Sequence, residues 1–382
     1  MRDVHGIEQE KRHVKIEQTG NWVRRQGPGI ILIGLLALVS ELASTFIGET
    51  LMGFERSPVS SVMVALLIGL TIRNIRPLPK IFAGGVSFGT KGILRLGIIL
   101  LGLRLSIVDM VQVIRVGLPV IVVCVVVGLL LPHVINRWMK LPVPLVTLIS
   151  VGTSICGVSA IIATSESLKS EKEHTAYAIA VITLFGLAAT LVYPLLAWSL
   201  FPGNTLAVGL FLGTAIHDTS QVAGAAFLYQ DYFSDPFVVE AAAVVKLLRN
   251  GLMVAVIPGI SWYHLRVKRI HSTEYAGETH GRVSLPGFIL WFVGMSLLRS
   301  AGDQLFIVQN LHWASFNADL WRAAIGISAT ASSVCITMAL AAVGLGTSFS
   351  VFKGLGFKPF LLGLCTAMCI GAVGILMIFL VV

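Results

Sequence analysis

The chain has 382 residues, 55% of them hydrophobic and only 12% charged, with a net charge of +9 and a mean hydropathy of +0.87. Soluble domains carry about 25% charged residues, so the composition excludes an ordinary soluble fold and predicts an integral membrane protein. The positive excess sits in short segments between apolar runs, six Lys/Arg before residue 26 and four from Arg266 to Arg282; that is the distribution of cytoplasmic loops, not of a nucleic-acid-binding face.

A bilayer core of about 30 Å needs about 20 helical residues. By that measure the sequence predicts an all-α polytopic membrane protein with about eleven spans: 28–50, 58–74, 82–105, 113–135, 142–167, 175–200, 203–229, 237–262, 284–301, 320–346 and 356–382. Residues 1–27 are polar and read as a cytoplasmic tail. No cleaved signal is expected in them, because the apolar run behind them is long enough to stay as a helix. Span one carries Glu41, expected to serve packing or a homodimer contact, and span three carries Lys91 and Arg95.

Span five holds "GTSICG" (152–157), span seven "AIHDTSQVAGAA" (215–226) and span ten "ISATASSVC" (327–335). Span eight places Lys246 and Arg249 inside the membrane; Arg249 lies about a dozen residues in, close to the bilayer centre at about 1.5 Å per residue. The five cysteines all fall in apolar segments without a CxxC or a His/Cys cluster, so no disulfide and no metal are expected. With the N-terminus inside, the cytoplasmic loops collect Arg73, Arg76 and Lys80, then Arg137 and Lys140, then Arg266, Lys268, Arg269 and Arg282, then Lys353 and Lys358. The outside loop "YQDYFSDPF" (229–237) is acidic. The C-terminus is then outside.

Three pairs of stretches match in order: "VALLIGLTIRN" (64–74) with "VGLFLGTAIHD" (208–218), "KGILRLG" (91–97) with "KLLRNG" (246–251), and "SIC" (154–156) with "SVC" (333–335). They pair spans two and seven, three and eight, five and ten. An offset of five spans inverts each partner across the membrane, as in the inverted repeats of secondary transporters. The expected organisation is a tail (1–27), an extra helix (28–57), a first repeat (58–202) and a second, inverted repeat (203–382).

Irregular backbone in a bilayer is tolerated only where it is buried or lines a cavity. The clusters in spans five and ten therefore predict two discontinuous helices whose second halves begin near Gly157 and Cys335, with free N–H groups and positive dipole ends facing one point. A small anion fits there. Gly152 and Gly157 allow close approach, Thr153, Ser154, Ser159, Thr330, Ser332 and Ser333 supply hydroxyls, and Cys156 lies beside them. Arg95, Lys246 and Arg249, with Lys91, supply positive charge. His217 and Asp218, with Gln221 as polar lining, form a candidate coupling element for H⁺ or Na⁺; no other cofactor is expected. Close helix packing is the other use of such small-residue clusters, and neutralisation of a cation the other use of Asp218.

The stretches "GTSICGVSAI", "IHDTSQVAGA", "VVKLLRNGLM" and "ILRLGIILLGLRLS" resemble the YeiH family of bacterial inner-membrane proteins, over nearly the whole chain from residue 28 onward. The resemblance implies a sulfate exporter or the carrier of a related sulfur oxyanion, in a clan built on inverted repeats with crossed broken helices. Two other readings compete: a Na⁺/H⁺-type cation antiporter, which would want a carboxylate pair where only Asp218 is near, and an intramembrane enzyme with Cys156 as nucleophile and His217 as base.

Overall fold

A computed structural model describes residues 3–47, 60–260, 262, 287–308, 318–348 and 356–382, with side chains at Trp22 and from Arg24 onward. Every regular element among them is helical. The loop cations Arg266, Lys268, Arg269, Arg282 and Lys353 lie outside the described residues. The chain is an all-helical polytopic membrane protein; among the described residues seven helices are long and apolar enough to cross a bilayer, and shorter apolar helices lie between them.

In chain order, α1 runs Asp3–Thr45, so the expected tail continues one helix with the first span. Next come α2 (Ser61–Ile75) and α3 (Lys80–Phe88); a π-turn (Gly89–Ile93) leads from α3 into α4 (Leu94–Leu101). The long α5 (Ile107–Met139) starts on Ser106, whose hydroxyl accepts from Asp109 N at 3.2 Å. Span five divides into α6 (Val143–Ser154) and α7 (Val158–Leu168), followed by α8 (Lys172–Leu200). Span seven divides into α9 (Thr205–Ala215) and α10 (Thr219–Phe233). Then follow α11 (Phe237–Gly251), α12 (Gly287–Gly302), α13 (Ala318–Gly346) and α14 (Phe357–Val381).

Span ten departs from expectation: α13 is one continuous helix across Thr330–Cys335. Its hydroxyls turn onto helical carbonyls, Thr330 onto Gly326 O at 3.1 Å and Ser332 onto Gly97 O at 2.7 Å. Without a Gly or Pro inside the cluster, those bonds satisfy the side chains and leave the backbone ladder intact. The second break lies instead in span seven.

The chain packs as two units, residues 1–95 with 334–348, and residues 96–333 with 349–382; the division cuts across the predicted repeat boundary at 202/203. In the first unit, α1, α2, α3 and the end of α13 bury Ile33, Leu36, Ala65, Val86, Ala341, Ala342 and Leu345. In the second, α6, α7, α8 and α14 share a core of Val146, Leu148, Ile149, Ile161, Val181, Ile182 and Leu362. Gly209 and Gly213, one turn apart on α9, bring α11 close. A Cβ on Gly213 would stand 2.6 Å from Val245 Cβ, and one on Gly209 2.5 Å from Ala241 Cβ. That approach carries the charged face of α11 to the end of α9.

Candidate ligand site at two helix breaks

The first break spans Ile155–Gly157. α6 ends with Ile155 N donating to Val151 O at 3.1 Å and Gly157 N to Gly152 O at 3.0 Å. Gly157 then takes φ +65°, ψ −122°, a conformation open only to glycine. A Cβ on Gly152 would stand 2.7 Å from Ile161 Cδ1. Nine residues of straight helix would separate those positions by about 13 Å, so the chain turns sharply and α7 packs beside the last turn of α6.

The hydroxyls expected to line this turn point elsewhere. Thr153 Oγ1 donates to Ile149 O and Ser150 O, both at 3.0 Å, and Ser154 Oγ to Ser150 O at 2.6 Å. In an apolar interior a hydroxyl takes the carbonyl one turn back when no other acceptor is nearer. Ser159 is exposed on the first turn of α7. Cys156 is buried among Val151, Ala160 and Ile257, its thiol donating to Met253 Sδ at 3.7 Å. What the first break offers is backbone: the carbonyls that end α6 and the first amides of α7, whose N-cap Gly157 gives no side-chain bond.

The second break spans Ile216–Asp218. Asp218 opens α10 as a complete capping box: its Oδ1 accepts from Ser220 N at 3.0 Å and Ser220 Oγ at 2.6 Å, and Gln221 Oε1 accepts from Asp218 N at 3.3 Å. Gln221 Nε2 donates to Thr183 O at 3.1 Å and its amide lies against Gly186, so Gln221 fastens the break to α8 and does not line a path. His217 is fully buried, and its Nδ1 has no hydrogen-bond partner. The two breaks meet: a Cβ on Gly157 would lie 3.1 Å from Asp218 Oδ2.

Both negative helix ends at this meeting point are held by cations from α11. Lys246 Nζ donates to the carbonyls of Ile155 (3.0 Å), Ile216 (3.1 Å) and His217. The Arg249 guanidinium makes six bonds to five carbonyls: Thr153 (2.9 Å), Ser154 (2.9 and 3.3 Å), Gly213 (3.0 Å), Thr214 (2.6 Å) and Ile216 (3.0 Å). These are the orphan carbonyls that end α6 and α9, where the dipoles are negative. The expected open electropositive pocket is therefore corrected. Both cations are spent on backbone, and they bind the two broken helices together. Arg95 is exposed and belongs to the first unit. Ser332 and Ser333 sit within continuous α13, away from any helix end.

Asn250, not among the residues expected from the sequence, lies one turn beyond Lys246 on the same face of α11. Its Nδ2 donates to Thr219 Oγ1 at 3.2 Å and its buried Oδ1 has no partner. Lys246, Arg249 and Asn250 at i, i+3 and i+4 form one helix face, a pattern visible in "KLLRN". A small void beside them is lined by Thr219, Val222, Lys246, Ile98 and Leu101.

A family described as conserved hypothetical protein 698 matches residues 28–363. Among curated proteins, the chain is 31% identical over 339 residues to a UPF0324 membrane protein of Streptococcus pyogenes serotype M3, covering 89% of this chain and 92% of that one. A UPF0324 membrane protein of Streptococcus agalactiae serotype V is 30% identical over 345 residues, 88% and 92% of the two chains. One from Fusobacterium nucleatum is 30% identical over 352 residues, 91% and 96%. With a match across most of its length, the chain belongs to the conserved hypothetical protein 698 family, the YeiH family of membrane proteins.

Proposed function

We propose that the protein is a secondary transporter of a small anion of the sulfur-oxyanion class, exporting it by alternating access across the bacterial inner membrane with its N-terminus in the cytoplasm. The observation that carries this reading is a pair of fully buried cations, Lys246 and Arg249, bonded to carbonyls at the point where two broken helices meet. The breaks themselves bring one carboxylate, Asp218, next to His217, whose carbonyl Lys246 holds. The first amides of α7 stand beside it without a side-chain cap. An anion seated on those amides completes both the charge balance and the helix end.

Asp218 gives the reading a coupling step. Its Oδ2 lies against Gly157, at the position an anion on α7 would take. An ionised Asp218 repels that anion and a protonated one does not, so anion and proton occupy the site together. The Na⁺/H⁺ antiporter reading is weaker on the same geometry. In cation exchangers, carbonyls at half-helix ends hold the metal ion; here the Lys246 ammonium already fills that carbonyl cage.

The test is ligand-induced stabilisation of the purified protein. Sulfate or sulfite should raise the unfolding temperature in a saturable way, since a ligand at about 100 times its Kd adds about 2.7 kcal/mol. Asp218→Asn should keep the effect, since it removes a like charge beside the anion and leaves the amides of α7 in place. Stabilisation by Na⁺ or Li⁺ with no response to any oxyanion, sulfonate or carboxylate would replace the anion reading with the cation one.

A further inference from the structure

The first unit holds a cavity of about 670 Å³ between α1 and α3. On α3 and the π-turn that continues it, the lining follows one stripe, Lys80, Gly84, Ser87 and Lys91, spaced i, i+4, i+7 and i+11; at about 1.5 Å per residue that stripe is about 16 Å long. From α1 come Arg24, Arg25 and Gln26. Gly84 lets α1 in: a Cβ there would stand 2.6 Å from Arg25 O.

Three features of this cavity point to a ligand. Arg24, Arg25, Lys80 and Lys91 all line it, no carboxylate lines it, and none of the four is ion-paired among the described residues. Gln26 Oε1 is buried there without a hydrogen-bond partner, an amide end that can turn either its oxygen or its N–H₂ to a bound group. The wall is also partly apolar: Phe88 packs edge-on against Trp22 at 5.5 Å, and Ile81, 60% exposed, stands at the rim. Arg24 and Arg25 where the apolar part of α1 begins, and Lys80 at the start of α3, with Trp22 beside them, mark the headgroup zone of a bilayer.

We propose that this cavity binds the phosphate-bearing headgroup of an anionic phospholipid. The shared chemistry is a phosphate oxyanion. A free phosphate ion would use the cations, but it leaves the 16 Å stripe and the apolar rim without an occupant, whereas a glycerophospholipid fills both. Basic pockets between membrane helices on the cytoplasmic side recognise such lipids, and a cytoplasmic N-terminus puts Arg24 and Arg25 on that side.

The experiment is native mass spectrometry of the full-length protein in detergent, titrated in separate arms with phosphatidylglycerol, phosphatidylcholine and inorganic phosphate. We expect phosphatidylglycerol to be retained at least about tenfold more tightly than phosphatidylcholine, and progressively less so as salt is raised. Each neutralised cation should weaken retention about fivefold, so Arg25→Gln with Lys91→Gln should abolish the preference. If that pair fails to fold, exposed Lys80→Gln alone should show the fivefold loss. Equal retention of the two lipids, no change in folded variants, or displacement of phosphatidylglycerol by equimolar inorganic phosphate would overturn the proposal.

Discussion

Replacing Arg249 by methionine removes one guanidinium of nearly conserved bulk and leaves five carbonyls, those of Thr153, Ser154, Gly213, Thr214 and Ile216, without their donor. Each unsatisfied buried carbonyl costs about 1–3 kcal/mol. Partial relaxation, and Lys246 retaining Ile216 O, lower the sum, but about 5 kcal/mol is a conservative figure. That is a large part of the roughly 5–15 kcal/mol by which a domain is stable. Arg249→Lys keeps the charge but has three donors for six bonds, and should cost about half as much. Thermal unfolding in detergent, followed by tryptophan fluorescence, should therefore rank the wild type above Arg249→Lys and that above Arg249→Met, with about 2–4 °C per kcal/mol. A methionine variant that unfolds at the wild-type temperature would refute the idea that Arg249 clamps the two broken helices.

Gly157→Ala forces a Cβ into a glycine-only conformation and to 3.1 Å from Asp218 Oδ2, so it should cost at least about 1–3 kcal/mol and lower transport more than expression; unchanged transport would show that the turn is dispensable. On α11, Glu240 accepts from Arg104 Nε at 3.1 Å, and Arg104 Nη2 donates to Gln230 Oε1 at 3.1 Å. Arg104→Met should destabilise by about 3–5 kcal/mol by leaving the Glu240 charge unpaired, and Glu240→Gln added to it should recover most of that loss; purely additive losses would mean the pair is not coupled. Cys156→Ser should keep full transport, since the thiol donates only to Met253 Sδ and otherwise packs among apolar residues; loss of activity with an intact fold would revive the enzyme reading.

Much of the helical layout was legible because apolar length is a strong signal in a membrane chain. Expected 175–200 is found as Lys172–Leu200, and expected 356–382 as Phe357–Val381. The break at Gly157 was legible because "GTSICG" combines two glycines with hydroxyl residues, so the backbone can leave the helix. The break expected near Cys335 was not found, because Ser and Thr without glycine return their hydrogen bonds to carbonyls and the helix continues. The real second break carried its own signature: in "DTSQ", Asp218 and Gln221 stand three apart as a capping box, which announces a helix start inside span seven. Least legible was the partner of the buried cations. A sequence displays carboxylates but not helix C-termini, so Lys246 and Arg249 read as charges awaiting an anion when their first partners are the peptide carbonyls of α6 and α9.

In the proposed mechanism an anion and a proton meet at Asp218 between the two breaks. Uptake of labelled sulfate and sulfite into proteoliposomes, with and without an imposed pH gradient, tests it most directly when wild type and Asp218→Asn are run side by side. Saturable uptake that the gradient accelerates is expected of the wild type, and uptake indifferent to the gradient of Asp218→Asn. Gradient-driven uptake that survives in Asp218→Asn, or no movement of either anion by folded wild-type protein, would contradict it.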